Sequence, residues 1–277
     1  MTVLTRITAA LGVAVSLFVS SFAEPVQAGS DFDDVSHVTL LPGWQRADGL
    51  YMAAVQVDLA PGWKTYWRSP GHNGIAPVFD WSGSDNVAQV GYYWPSPHIM
   101  DAEGIRTVGY KDRLVLPVVL KPRDVARPIN LRLHMDYGVC DDICLPARSN
   151  ASLAVDRGQV SNRDVIGAAM KLRTTPATSH GLQTATCGLT PDGDDFVLSA
   201  DFTFDRDIAA HRLVIVETGS DHIWVSEADH ALAGGDLRVE ADLQYYGDGA
   251  MTLDRSALRF TLLNDGQSIE IVGCTGR

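Results

Sequence analysis

Two cysteines separated by three residues, Cys140 and Cys144, are the best candidates for chemistry in this 277-residue sequence. They lie in the stretch DYGVCDDICLP, residues 136–146. A strictly alternating apolar pattern over 129–135 (INLRLHM) ends just before them, and Pro146 argues against an ordinary helix or central strand just after them. The pair therefore falls across a tight turn between two strands. Three intervening residues let the two Cα atoms approach within the roughly 4.4–6.8 Å that a disulfide needs. A bridge this local removes little entropy from the unfolded chain, so it is a poor staple. A redox-active pair, a static bridge and a thiolate metal site all fit the spacing. Asp141 and Asp142 lie between the thiols and disfavour a thiolate, and no lysine adjoins them in the sequence. That pattern suits a pair exchanging electrons inside a docked complex better than a strong oxidant.

The other two cysteines, Cys187 and Cys274, bracket the last third of the chain. Four cysteines allow three connectivities. Their segregation along the chain favours Cys140–Cys144 with Cys187–Cys274, the second bridge being structural. Its long loop is worth on the order of 4.5 kcal/mol in the chain-entropy model. His72, His98, His134, Met100 and Met135 could join the thiols as soft copper ligands, but no spacing among them forms a known ligand set. Asp101, Glu103 and Asp112 could act as acid or base, but a solvated loop face accounts for them better. No Ser-His-Asp order, phosphate loop or zinc-protease motif is present, and no small-molecule substrate is expected.

Strands must position the cysteine pair. Alternation over 51–59 (YMAAVQVDL), a wholly apolar run over 114–120 (LVLPVVL), the pattern at 129–135 and a short closing strand at 151–155 are separated by stretches rich in Pro and Gly. This is the rhythm of an antiparallel sandwich. Residues 162–173 read as one short helix ending before Pro176. Strands return at 196–204, 213–217, 223–226, 237–243, 258–264 and 268–272. The expected architecture is all-β: an immunoglobulin-like sandwich over 29–156, a helical linker over 157–176, and a second β-rich domain over 177–277. Before these, Arg6, the apolar run 7–19 and the small residues Val26 and Ala28 read as a signal peptide cleaved after Ala28. A net charge of −12 argues against nucleic acid and against an anionic membrane surface as partners.

Around the cysteines a family resemblance emerges. Residues 63–71 (WKTYWRSPG), Phe79-Asp80-Trp81, Trp94-Pro95, Gly109-Tyr110, the run 114–117, Tyr137-Gly138-Val139-Cys140 and Cys144-Leu145-Pro146 together resemble the periplasmic N-terminal domain of the DsbD protein-disulfide reductases. The flavour is that of the branch containing the suppressor of copper sensitivity B proteins, and the resemblance spans 36–156. It implies an immunoglobulin-like fold with a redox cysteine pair at a strand turn, a periplasmic location, and thiol relays of the kind that serve cytochrome c biogenesis and copper tolerance. The implied partners are thioredoxin-like periplasmic proteins and a membrane electron donor. By position, Cys144 resembles the cysteine that forms the mixed disulfide, and Cys140 the one that resolves it. The segment from Trp94 to Tyr110 resembles the cap over the disulfide. Tyr66, Trp67 and Tyr137 join it as aromatic shielding and docking candidates, although packing in the sandwich explains any one of them. The best-known members space their cysteines more widely, and they continue into a membrane domain and a thioredoxin-like domain with a CxxC.

The function expected from the sequence is relay of two electrons between protein cysteine pairs through Cys140 and Cys144, with no cofactor. The alternative is a non-catalytic periplasmic copper-handling or adaptor protein with two structural disulfides.

Overall fold

A computed structural model describes residues 34–276 apart from residues 103, 156, 157, 210 and 265. The expected export segment and Glu103 lie outside the described residues. Ten strands build the first sandwich: β1 (Ser36–Gln45), β2 (Tyr51–Leu59), β3 (Lys64–Tyr66), β4 (Val78–Asp80), β5 (Val87–Tyr92), β6 (His98–Ala102), β7 (Ile105–Lys111), β8 (Arg113–Pro122), β9 (Ile129–Cys140) and β10 (Cys144–Val155). One sheet runs β1-β2-β8-β5, and the other runs β10-β9-β3-β7-β6 with β4 also on β9. The inner faces meet in a core that includes Val55, Trp67, Leu116, Leu131, Met135, Tyr137 and Val139.

Alternation drives this arrangement. In β9 the residues Ile129, Leu131, Leu133, Met135, Tyr137 and Val139 are buried, as the period of two requires. The run 114–120 forms most of β8, which is paired on both edges by β2 and β5. β10 is longer than the sequence implies: it starts at Cys144 and runs through Pro146. Pro146 is tolerated because β10 is an edge strand, where a missing N–H need not break a ladder. The turn between the cysteines is correspondingly tight.

Helix α1 (Arg163–Lys171) buries Ile166 against Met52 and Ala54 on the outer face of the first sheet. It is packed onto the first sandwich rather than spanning free between two bodies. The chain after it runs beside residues 94–96: the Thr174 amide donates to the Trp94 carbonyl at 3.2 Å and the Ser96 amide to the Leu172 carbonyl at 2.6 Å.

The second sandwich has one sheet built from β11 (Thr175–Pro176), β14 (Leu213–Glu217), β18 (Arg259–Asn264) and β19 (Gln267–Val272). Its other sheet holds β12 (Leu182–Asp192), β13 (Asp195–Phe204), β15 (Ile223–Val225), β16 (Asp229–Ala233), β17 (Asp236–Tyr245) and β20 (Thr275–Gly276). Phe202 and Phe260 meet edge to face at 4.8 Å in its core. Cys187 is bonded to Cys274, 87 residues apart, and ties β12 to the segment leading into β20.

The two bridges close loops of very different length, with separations of 4 and 87 residues. The chain-entropy model assigns about 2 kcal/mol to the short one and on the order of 4.5 kcal/mol to the long one. Replacing Cys187 and Cys274 together with Ser should therefore lower stability by a few kcal/mol more than replacing Cys140 and Cys144. Denaturant unfolding of the two double variants checks this, and equal losses would contradict it.

Candidate functional site: a disulfide at a hairpin tip

Cys140 and Cys144 are bonded and face each other as the last register pair of the β9–β10 ladder. Their surroundings differ. Cys140 ends an inner strand: β10 lies on one side, and β3 on the other, with Lys64 directly opposite. Cys144 begins the edge strand. Cys140 is consequently 4% exposed, whereas Cys144 is solvent-exposed. Asp141, Asp142 and Ile143 form the exposed tip, with Ile143 at 68% exposure.

The period of two places Gly138, Cys140, Cys144 and Pro146 on the outer face of the sheet, together with Lys64 and Tyr66 from β3. The absence of a lysine beside the pair, inferred from the sequence, is thus corrected. Lys64 is remote in sequence but stands across the ladder from Cys140, where paired Cβ atoms lie about 4.5–5.5 Å apart.

Tyr66 is the residue that meets the disulfide. Its hydroxyl is 3.1 Å from Cys144 Sγ, and because a disulfide sulfur carries no proton, the tyrosine donates. Burial pushes the phenol above its ordinary pKa, so the donor keeps its proton throughout the neutral range. Gly138 makes this contact possible. A Cβ there would lie 2.7 Å from both the Tyr66 ring and Ile75 Cβ. The missing side chain admits the ring of Tyr66 on the strand and Ile75 above it. The Thr65 hydroxyl, donating to the Gly138 carbonyl at 2.8 Å, holds β3 to β9 at this point.

The remaining aromatic candidates lie elsewhere. Trp67 is fully buried, with the Arg68 guanidinium 4.4 Å above its ring. Tyr137 points into the core and ties three strands together, its hydroxyl 2.8 Å from Ser36 Oγ and 3.0 Å from Ser149 Oγ. Trp94 and Tyr110 stack on each other in the core, and the Tyr110 hydroxyl donates to the Pro95 carbonyl at 2.8 Å. Burial holds that phenol well above its ordinary range. Most of the segment between Trp94 and Tyr110 is the β6–β7 hairpin, and the aromatic hydroxyl at Cys144 is that of Tyr66.

The soft-ligand candidates do not converge: His134 bonds to Asn150 at 3.0 Å, Met135 is in the core, and His72 stacks on Trp224. Among the described residues no group of three or more His, Cys, Asp or Glu is arranged to hold a metal ion. Asp101 pairs with Arg106 and Arg212, and Asp112 sits in the β7–β8 turn at φ 63°. Sequence reasoning missed Lys64, Ile75 and the role of Gly138. The glycine two residues before Cys140 was the one legible signal.

A small antiparallel sandwich that carries a disulfide between the first and last residues of a hairpin turn, one sulfur open to solvent, belongs to the class of immunoglobulin-like thiol–disulfide interchange domains. The sequence over residues 37–155 matches the family described as thiol:disulfide interchange protein DsbD, N-terminal, and this stretch is a DsbD-family N-terminal domain. The chain is also similar to the crystal structure of the N-terminal periplasmic domain of ScsB from Proteus mirabilis, at 25% identity and a TM-score of 0.61. That likeness covers 87% of this chain and 92% of the other, so it extends through both sandwiches. No curated protein matches the sequence. Among the described residues no helix is long and apolar enough to cross a membrane.

The Gly138 contact generates a direct expectation. Gly138→Ala should cost about 1–3 kcal/mol, the usual range for overpacking, because the Tyr66 ring or Ile75 must move. A thermal melt measures the loss, and an unchanged melting temperature would show that the pocket over Gly138 has slack.

Proposed function

We propose that this chain relays electron pairs between protein cysteines through Cys140 and Cys144, in the periplasm. The observation that supports it best is the unequal exposure of the two cysteines within a domain of a thiol–disulfide exchange family. Exchange requires a thiolate to reach one sulfur in line with the S–S bond. Cys144 on the edge strand offers that approach, and Cys140 under β3 does not.

In the reducing half-cycle a partner thiolate attacks Cys144 Sγ. A new S–S bond forms, the Cys140–Cys144 bond breaks, and Cys140 leaves as a thiolate that takes up a proton. The partner's second thiolate then attacks its own sulfur in the mixed disulfide and releases Cys144. The partner ends as a disulfide, having lost two electrons, and this chain ends as a dithiol, having gained them. In the other half-cycle Cys144 attacks an acceptor disulfide, and Cys140, held close by the hairpin, resolves the mixed disulfide.

The surrounding residues match these steps. Lys64, opposite Cys140, lies on the side where the leaving thiolate develops charge. The protonated Tyr66 hydroxyl can donate to Cys144 whether the sulfur is bridged or a thiolate. Exposed Ile143 beside Cys144, and Ile75 at 37% exposure, offer an apolar rim for docking. DsbD-family N-terminal domains work with thioredoxin-like proteins in general, and such a protein is the partner we assign here. The first sandwich then acts as the exchange domain and the second as a separate module beside it.

Single-cysteine variants test the assignment. Cys140→Ser should trap a mixed disulfide with a thioredoxin-like protein through Cys144, seen as a reducible adduct on a non-reducing gel. Cys144→Ser should trap little. Trapping only through Cys140 would reverse the roles, and trapping through neither would remove the exchange function.

A further inference from the structure

Strand pairing lines up four residues across one sheet. Lys111 in β7 is opposite Lys64 in β3, Lys64 is opposite Cys140 in β9, and Cys140 is opposite Cys144 in β10. Residues directly opposite share a face of the sheet, and their Cβ atoms lie about 4.5–5.5 Å apart. The burial pattern of β7 agrees: Val108 and Tyr110 lie in the core and Lys111 is exposed, so the row runs along the outer face.

Two cations directly opposite each other destabilise a sheet unless an anion offsets them. Neither lysine side chain has an ion-pair partner among the described residues. They are two of only four lysines in a chain of net charge −12, so a generally basic surface does not account for the pairing. The row they form ends in the two cysteines.

Cys140 is the sulfur that needs a cation when the bridge opens. It is 4% exposed, and burial disfavours a thiolate. Asp141 and Asp142 follow it in the turn, and the Asp141 carbonyl is 3.6 Å from Cys140 Sγ. The Asp141 carboxylate is 3.4 Å from where a Cβ on Gly62 would lie, in the turn before β3. All of these favour the protonated thiol. Tyr66, on the same face, is directed at Cys144, and Asp112 follows Lys111 in the β7–β8 turn. Lys64 is the cation next to Cys140 in the row, with Lys111 behind it. Cys144 is one strand further away and open to water.

We propose that Lys64, reinforced by Lys111, stabilises a thiolate at Cys140 and thereby makes Cys140 the sulfur that leaves when the bridge opens. An incoming thiolate attacks Cys144 Sγ, forms one S–S bond and breaks the Cys140–Cys144 bond. The electron pair of the broken bond goes to Cys140 Sγ, which later takes a proton from water. A sulfur whose thiolate is better stabilised leaves faster. Strand order exposes Cys144 to attack, and the lysine row adds a charge preference of the same sense. This inference rests on reading the pair as the exchange site.

The experiment uses the full chain in two backgrounds, Cys144→Ser to follow Cys140 and Cys140→Ser to follow Cys144. Thiolate is measured by its ultraviolet absorbance against pH, with the variant lacking both cysteines as blank. Lys64→Gln should cut the Cys140 thiolate fraction at a given pH by about three- to tenfold, an upward shift of roughly half a unit to one unit in its midpoint. Lys64→Arg keeps the charge and should stay within about twofold of the parent. Lys111→Gln, one strand further off, should act in the same direction by about twofold. At Cys144 the Lys64→Gln change should be less than about twofold. An unmoved Cys140 midpoint in Lys64→Gln, an Arg variant shifted as far as the Gln variant, or an equal shift at Cys144 would overturn the assignment. The titration needs no partner protein, so its failure would leave the trapping result standing, and failed trapping would leave the titration standing.

Discussion

The site depends on strand β9 being paired along both edges. On one side β10 matches it residue for residue, from Ile129 opposite Val155 to Cys140 opposite Cys144. On the other side β3 covers its end and β4 its middle. A strand fixed in this way has one register. A slip of one residue would turn Tyr137 and Val139 to solvent and drive Gly138 and Cys140 into the core. The apolar cost of that slip is what keeps the disulfide on the outer face. The same constraint brings Lys64 and Tyr66 to the pair, because they share a face with whatever β9 presents there.

The difference between the sulfurs follows from strand order alone. Cys140 is inner and Cys144 is at the edge, although the two are bonded and level with each other. Exposed edges are usually a hazard that proteins blunt with charge, proline or bulges. Here Pro146 sits on that edge two residues past Cys144, and acidic residues occupy the turn. Asp141 and Asp142 still disfavour thiolates, as the sequence suggests. Lys64 stands across the ladder from Cys140, on the side away from the open edge.

Much of this was readable in the residues, and the limits have physical causes. The strict alternation in 129–135 and the apolar run 114–120 located β9 and β8, because burial on one or both faces writes directly into the sequence. The two bridges followed from where the cysteines lie. Pro146 led to too short a β10, since a proline penalty means little on an edge that the sequence does not reveal. Trp94 and Tyr110 carried the cap expectation from resemblance, whereas the structure places both in the core and puts Tyr66 at the sulfur. Aromatic type does not distinguish a shield from a core residue. Lys64 and Ile75 were invisible because their relation to the hairpin is a tertiary contact across more than 60 residues of sequence.

The two disulfides make unequal contributions to the fold. A bridge closing a loop of four residues constrains the unfolded chain less than one spanning 87, about 2 against about 4.5 kcal/mol in the chain-entropy model. The hairpin around it is held by backbone pairing and by Tyr137 and Val139 in the core, none of which depends on the sulfurs. The bridge that constrains the chain strongly lies in the other sandwich, with Cys187 fully buried. Most of the disulfide contribution to stability therefore falls to the second pair, and the exchange function we propose falls to the first.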